Sequence, residues 1–349
     1  MDHLASEGGA IAFLVYDSRS GSTVLSRKLV EMVAGVCVTP ELAFDSILHG
    51  NRTFRRHSTI EMVRTLIRTR GIRNLSPRVR RALIRVARSA TGSDAATVIN
   101  LAVNIWRNEM HEAVHSECIV VKGGTHVRYW REIHRAYRGS ARFIYLIRDP
   151  RAVIDSKLRT RRPYVPSETM AWGGALLAAI RWRQFAKTMR TARLRGEQVL
   201  EIKYEDFIAS PAEVMAKIAD FLGVALSNLP TRAVYKIPKA EQQIHLLALS
   251  GKINEDRVNR WQMQLSDADR RVIEAVCYTE MRARGYEPIE SAQAIRRYLR
   301  SLRGVPGALS QMLSHFRRVG FGSRQPVLAN AKSGRHRRRT RTTSTDFGS

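Results

Sequence analysis

Short apolar runs recur along the chain, each leading into a polar loop and then into apolar residues at helical spacing. Ile11 to Val15 reads as a buried strand, Asp17 to Thr23 as a tight loop, and Val24, Leu25, Leu29 and Val30 as one face of a helix. Val36 to Val38 predicts a short strand ending at Thr39-Pro40-Glu41, with a helix beginning near Phe44, Ile47 and Leu48. Cys118 to Val121 predicts a strand delivering Lys122-Gly123-Gly124-Thr125-His126, then a helix through Trp130, Ile133 and Tyr137. Phe143 to Ile147 is the strongest strand signal and runs into Arg148-Asp149-Pro150-Arg151 and a helix carrying Val153, Ile154, Ser156 and Leu158. A long helix is expected from about Glu168 to Arg195, a strand at Val199 to Ile202, and a helix from Ser210-Pro211 to Leu222 with Gly223 at its C-cap. Strands alternating with helices in this way predict an α/β fold with a central parallel sheet and crossover helices.

Three stretches depart from that alternation. From Arg52 to Arg88 the chain is dense in arginine yet keeps helical periodicity (Ile60, Val63, Leu66, Ile67, then Val79, Leu83, Val86). This predicts an inserted pair of helices with a basic outer face, the second opening at Ser76-Pro77, before a break at Thr91-Gly92-Ser93 and a helix from Ala95 to Val114. Beyond Pro230 the pattern is irregular to about Val258, after which Ser266-Asp267 caps a helix ending near Arg284-Gly285-Tyr286. Ala292 to Leu302 and Ala308 to Arg318 are basic and amphipathic, and residues from Ser323 onward read as a disordered basic tail. The expected organisation is therefore a main domain over 1–290 with the insertion at about 52–92, a basic helical extension over 291–322, and a tail over 323–349.

Composition bounds the partners. A chain of 349 residues that is 44% hydrophobic can bury a full core. No run approaches the roughly 18 apolar residues of a membrane span. The N-terminal MDHLASEGGA does not have the features of a secretory signal, so a cytoplasmic location is expected. Cys37, Cys118 and Cys277 share no ligand spacing and read as small apolar residues in a reducing compartment. A formal net charge of +28 attracts polyanions of any kind, whether nucleic acid, anionic lipid surface or phosphorylated cosubstrate. Peripheral association with an anionic membrane is one such expectation, and the insertion's basic face is suited to an anionic glycan or an anionic lipid surface.

The chemistry concentrates in two loops. A strand, a small-residue loop and a helix point backbone N–H groups and a helix N-terminus at one anion. Here Arg19 adds a permanent forked cation, Ser20, Ser22 and Thr23 add hydroxyl donors, and Gly21 permits close backbone approach. The triphosphate-binding template GxxxxGK[ST] fails, because no lysine precedes Ser22-Thr23 and no upstream glycine has the required spacing. In the second loop, Arg148 at a strand's carboxyl end and Ser156 in the following helix can converge on another anion. Read alone, Arg148-Asp149 is equally a local ion pair capping that helix.

Taken together and in order, these motifs resemble the sulfotransferase family that uses 3′-phosphoadenosine 5′-phosphosulfate (PAPS). Arg19-Ser20-Gly21-Ser22-Thr23 is similar to its 5′-phosphosulfate loop and Phe143 to Ser156 to its 3′-phosphate motif. Lys203-Tyr204-Glu205-Asp206-Phe207 with Pro211 and Ile218 to Gly223 resembles a further family stretch, and Arg260-Trp261 through Pro288 its C-terminal helix. The resemblance spans roughly Ala10 to Pro288 and implies a P-loop-like three-layer fold. It assigns Arg19, Ser20, Gly21, Ser22 and Thr23 to the 5′-phosphosulfate and Arg148 and Ser156 to the 3′-phosphate. Lys252 and Arg257 fall where the family closes a basic loop over the cosubstrate. Glu41 is the first candidate for the base that deprotonates an acceptor hydroxyl, and His126 the second; Lys122 helps neutralise the transferring group. The implied reaction is in-line sulfuryl transfer from PAPS, with no metal required, to a hydroxyl on a carbohydrate or glycolipid. Two other readings stay open: a P-loop-related nucleoside or sugar kinase, and a basic nucleic-acid-binding protein. Against the latter, aromatic-basic interleaving and zinc-ligand spacing are absent from the sequence, so no specific nucleic acid is expected.

Overall fold

The computed structural model describes residues 10–49, 58–68, 71–72, 74–89, 94–110, 117–162, 165–227 and 256–291, together with 293, 294 and 297. All of them fall within Met1–Pro306, the first of two compact units. The stretch containing Lys252, most of the 291–322 extension and the 323–349 tail lie outside the described residues.

Five parallel strands form the central sheet: β1 (Ala10–Tyr16), β2 (Val36–Val38), β3 (Cys118–Lys122), β4 (Arg142–Ile147) and β7 (Gln198–Lys203), in the order β2-β3-β1-β4-β7. β1 lies in the middle, with Phe13 level with Val121 on one side and Phe143 on the other. A parallel strand covered on both faces has no polar side, which is why these segments read as continuous apolar runs. Phe13, Val15, Val121, Phe143 and Tyr145 point into one layer of the core, and Ala12, Leu14, Val120, Ile144 and Leu146 into the other. Full burial of each large side chain contributes about 1.5–3 kcal/mol.

The second layer is formed by α1 (Ser22–Met32), α9 (Tyr204–Ala209) and α10 (Pro211–Leu222), whose Leu25, Leu29, Phe207, Met215 and Ile218 pack on the Leu14 face. The opposite layer contains α2 (Asp45–His49), α3 (Thr59–Arg68), α4 (Pro77–Ala87), α5 (Ala95–Met110), α6 (Trp130–Ala136), α7 (Pro150–Arg159), α8 (Gly174–Leu194) and α13 (Asp267–Arg282). A 3₁₀ stretch, Gly124–Tyr129, leads into α6. Two short helices, α11 (Asp256–Asn259) and α12 (Trp261–Gln264), precede α13. This is the expected α/β architecture of three layers, with the basic insertion contributing α3 and α4. Their inner faces join the main core through Met62, Val63, Leu66, Val79, Leu83 and Ala87. The Ser76 hydroxyl caps α4 by accepting from the Val79 N–H at 3.2 Å, with Pro77 in the first turn.

Local expectation and structure differ between α7 and α8. The helix expected from Glu168 starts only at Gly174. Before it, β6 (Val165–Thr169) pairs antiparallel with β5 (Arg161–Arg162) in a small separate sheet. Gly173 and Gly174 sit at φ 78° and 72°, outside right-handed helical backbone, so α8 does not extend back through them into the β6 strand. Among the described residues, no helix is long and apolar enough to cross a membrane.

Candidate active site

The loops at the carboxyl edge of the sheet are where open parallel sheets bind ligands. After β1 the chain turns through Arg19, a non-glycine residue at φ 73°, and Gly21 at φ 92°. Left-handed backbone at a bulky residue costs on the order of 1–3 kcal/mol and persists only where surroundings enforce it. Gly21 is required for space as well as torsion, since a Cβ there would lie 2.3 Å from the Tyr204 ring. Gly21 is also the N-cap of α1, with no side-chain cap and no acidic residue in the first turn. The helix therefore leaves its first N–H groups and its positive end facing the loop.

Strand β4 delivers Arg148 to the same place. Its Nη1 donates to the Arg19 carbonyl at 3.4 Å, its Nη2 donates to the Arg257 carbonyl, and its guanidinium lies 4.3 Å from the Tyr204 ring centre. Its Nε is buried with no hydrogen-bond partner. From α7, Ser156 accepts a 2.9 Å hydrogen bond from Arg19 Nε, so the two loops expected to hold separate ends of one ligand touch each other. Asp149 caps α7 without pairing with Arg148. Asp149 accepts instead from the Arg151 N–H at 2.8 Å and from the Arg151 guanidinium, which also reaches Glu274. Arg148 is thereby left without a carboxylate partner among the described residues.

The result is a cleft of about 220 Å³ lined by Arg19, Ser22, Thr23, Arg148, Ser156 and Arg257, with Tyr204 and Trp261 supplying aromatic surface. Burial, and then the neighbouring charges of Arg257 and Arg148, push the Arg19 guanidinium down to about 10. Burial likewise holds Arg148 below its usual value. Cations gathered this closely, with an unpartnered buried donor among them, give the cleft a strongly positive character. Asp155, the carboxylate in the lining, is already paired with Arg159 at 2.8 Å.

A buried framework fixes the loop from behind. Lys157, next to Ser156 on α7, is buried and pairs with Asp17, the residue that follows β1. Arg181 on α8 reaches the same carboxylate at 3.3 Å. Burial pushes Lys157 down to about 8, against the opposing pull of Asp17. The Trp182 Nε1–H donates to the Arg148 carbonyl at 3.0 Å, and the Glu205 carboxylate accepts from the Asp149 N–H at 3.0 Å.

Of the other predicted residues, Ser20 is buried in the loop, its N–H donating to the Asp17 carbonyl at 3.2 Å. Lys122 at the end of β3 reaches the loop, its Nζ donating to Thr23 Oγ1 at 3.3 Å. Glu41 is exposed and lies beside that strand end, because the adjacent Leu42 N–H donates to the Lys122 carbonyl at 2.9 Å. His126 is not brought to the cleft. It is fully buried, stacked 5.7 Å from the Phe44 ring, accepts from the Phe44 N–H at 3.5 Å, and is pushed down to about 4 by burial. Tyr204, Asp17, Lys157, Arg181 and Trp261 were not singled out as site residues from the sequence. Asp17, Tyr204 and Trp261 do fall inside stretches the sequence marks out (the loop after the first strand, Lys203 to Phe207, and Arg260-Trp261), whereas Arg181 carries no signal.

The fold and the cleft define an α/β protein with a cationic site at the carboxyl edge of its parallel sheet. The family model described as "Sulfotransferase family" matches residues 13–228, and the chain belongs to that family. Carbohydrate sulfotransferase 2 from Mus musculus and its Homo sapiens counterpart are each 22% identical over 205 residues, covering 47% of this chain. The match covers only 38% of either relative's own length. The sulfotransferase domain from the Synechococcus PCC 7002 olefin synthase has a similar fold, with a TM-score of 0.53 and 20% identity over 80% of this chain and 95% of that one. The sulfotransferase domain from the curacin biosynthetic pathway gives 0.52 and 19%, over 80% and 98%.

Proposed function

We propose that this transferase moves a sulfuryl group from PAPS to a hydroxyl of a carbohydrate or glycolipid acceptor. The observation that carries the reading is the clustering of Arg19, Arg148 and Arg257 around one cleft, with the buried Arg148 Nε unpartnered. A ligand with a phosphosulfate at one end and a phosphate at the other supplies the charge those groups require. Arg19, Gly21, Ser22 and Thr23 with the N-terminus of α1 would hold the phosphosulfate, and Arg148 and Ser156 the 3′-phosphate. Ser20 would contribute to the first set, and Lys252 and Arg257 to closing the cleft. The carbohydrate acceptor is supported by the carbohydrate sulfotransferases among the relatives.

In the proposed reaction the acceptor oxygen forms a bond to sulfur as the bond from sulfur to the bridging oxygen breaks, releasing adenosine 3′,5′-bisphosphate. Negative charge grows on the bridging oxygen, and a fixed guanidinium with oriented N–H groups stabilises it most where water is excluded. Arg19 stays charged even at about 10 and acts electrostatically rather than as an acid. Lys122, tied to the same loop through Thr23, offsets charge on the transferring group. The acceptor proton passes to Glu41, which is exposed at the adjoining strand end, whereas His126 has no opening to solvent.

The test is incubation with radiolabelled PAPS and a panel of neutral and charged oligosaccharides and glycolipids. Label transferred to a hydroxyl acceptor supports the reading, and no transfer to any member overturns it. With an acceptor in hand, Glu41→Gln is expected to leave adenosine 3′,5′-bisphosphate affinity unchanged and to lower kcat about 100-fold, within the range general bases contribute. A kcat within about twofold of the parent would remove Glu41 from the role.

A further inference from the structure

The insertion presents an arginine stripe that the cleft does not use. On α4, Arg81, Arg85 and Arg88 are all exposed, while Val79, Leu83 and Ala87 on the opposite face are buried in the core. Helical geometry continues through the C-cap Arg88, at φ −70° and ψ −32°. At 3.6 residues per turn these three side chains project within about 60° of arc and span about 10 Å along the axis. Arg64 and Arg68, one turn apart on the neighbouring α3, are exposed as well. Among the described residues no carboxylate pairs with any of these five guanidiniums. A cationic row with no internal counter-charge is held against its own repulsion by the core on its inner face.

The stripe is anchored to the proposed acceptor side of the site. The connection between α3 and α4 is fastened to the Glu41 segment: Asn74 Nδ2 donates to the Glu41 carbonyl at 2.7 Å, and the Ala43 N–H donates to the Gly71 carbonyl at 2.7 Å. The approach at Gly71 is so close that a Cβ there would sit 2.2 Å from the Ala43 oxygen. The helix carrying the stripe thus begins a few residues from the backbone contact with Glu41. We infer that α4 is an exosite for an anionic glycan chain, whose sulfates or carboxylates lie along Arg81, Arg85 and Arg88 while a neighbouring sugar hydroxyl enters at Glu41. This deepens the sulfotransfer reading and rests on it for the identity of the reacting hydroxyl. Planar guanidinium forks match carboxylate and sulfate edges in two-point contacts. A membrane surface is a poorer fit, because interfacial helices need apolar side chains to bury beside their basic face. The apolar faces of α3 and α4 are used in the core, and none of the large exposed apolar side chains among the described residues lies on either helix.

The test uses the full chain and the variant R81Q/R85Q/R88Q, in which only exposed side chains change. A fluorescent sulfated, uronate-containing octasaccharide from heparin is titrated at several salt concentrations, beside neutral maltooctaose, duplex DNA and phosphatidylserine vesicles. Expected is at least a tenfold loss of octasaccharide affinity in the variant and a salt slope shallower by about two to three, near one counterion per guanidinium removed. Adenosine 3′,5′-bisphosphate affinity is expected to be unchanged, and KM for a charged acceptor to rise with KM for a neutral one unmoved. Unchanged octasaccharide affinity overturns the inference. A larger loss for DNA or vesicles than for the octasaccharide overturns the glycan as occupant. Failure of the parent chain to bind adenosine 3′,5′-bisphosphate would count against the sulfotransfer reading alone, since octasaccharide binding is read without it.

Discussion

At the scale of single residues, the clearest division is between groups the fold exposes to a ligand and groups it consumes in packing. Arg148 and His126 both follow strands of the sheet, yet their fates differ. Arg148 lines the cleft with its Nε unpartnered, whereas His126, whose Nδ1 is also unpartnered, is enclosed away from it, with its Nε2 against the Phe44 N–H and its ring between aromatic neighbours. The histidine's burial predicts a pH response. The folded protein keeps it neutral down to about 4, while in the unfolded chain it titrates near 6.5. Between those values the unfolded state binds more protons, so stability rises with pH and is lost as pH falls from 6.5 toward 4. The loss is on the order of 3 kcal/mol when complete. His126→Gln, which keeps an acceptor but does not titrate, is expected to flatten the melting temperature between pH 6.5 and 4.5 relative to the parent. Equal slopes in both proteins would show that other groups set the acid limit. Sequence alone could place His126 in a turn after a strand, but not say which way its ring points. That direction depends on Phe13 and Phe44, from two other segments.

At the scale of elements, the parallel strands were legible because a strand buried on both faces has to be apolar throughout. The helix caps at Ser76, Asp149 and Ser266 were equally open to reading, since each is a short polar side chain accepting from an N–H in the first turn. What could not be read was pairing between distant segments. The β5–β6 hairpin has neither alternation nor length, and the helix expected from Glu168 overlaps the end of β6 at Glu168 and Thr169. The tie between β1 and α7 was hidden for a similar reason, because Asp17 and Lys157 are 140 residues apart. That tie predicts a large effect. Lys157→Met leaves Asp17 buried with only the partly exposed Arg181 beside it. Removing one member of a buried pair costs about 3–5 kcal/mol, measurable as a lower denaturant midpoint. Because Ser156 adjoins Lys157 and holds Arg19, adenosine 3′,5′-bisphosphate affinity is expected to fall with it. A stable variant with parental affinity would reduce the pair to a packing detail.

For the whole molecule, the five-stranded sheet turns separate pieces of chain into one charged edge: a loop after β1, an arginine after β4, an aromatic after β7 and a lysine ending β3. The order of these pieces along the chain makes the sulfotransferase resemblance legible from sequence. Their convergence, and the insertion's attachment at Glu41, required the fold. The proposed division of the chain leaves catalysis within 1–290, so deleting 323–349 is expected to leave kcat on a small soluble acceptor within about twofold, and loss of turnover would place the tail in the catalytic domain. The central claim, that one cleft holds both ends of a PAPS-like ligand, is tested most directly by calorimetric titration with adenosine 3′,5′-bisphosphate, with ATP and magnesium as the contrast. The account predicts binding of the bisphosphate in preference to the triphosphate. It predicts a loss of about 10- to 100-fold on Arg148→Ala, the scale of a charged hydrogen bond removed from a buried phosphate site. Equal or tighter binding of ATP with magnesium, or an unchanged affinity in Arg148→Ala, would contradict it.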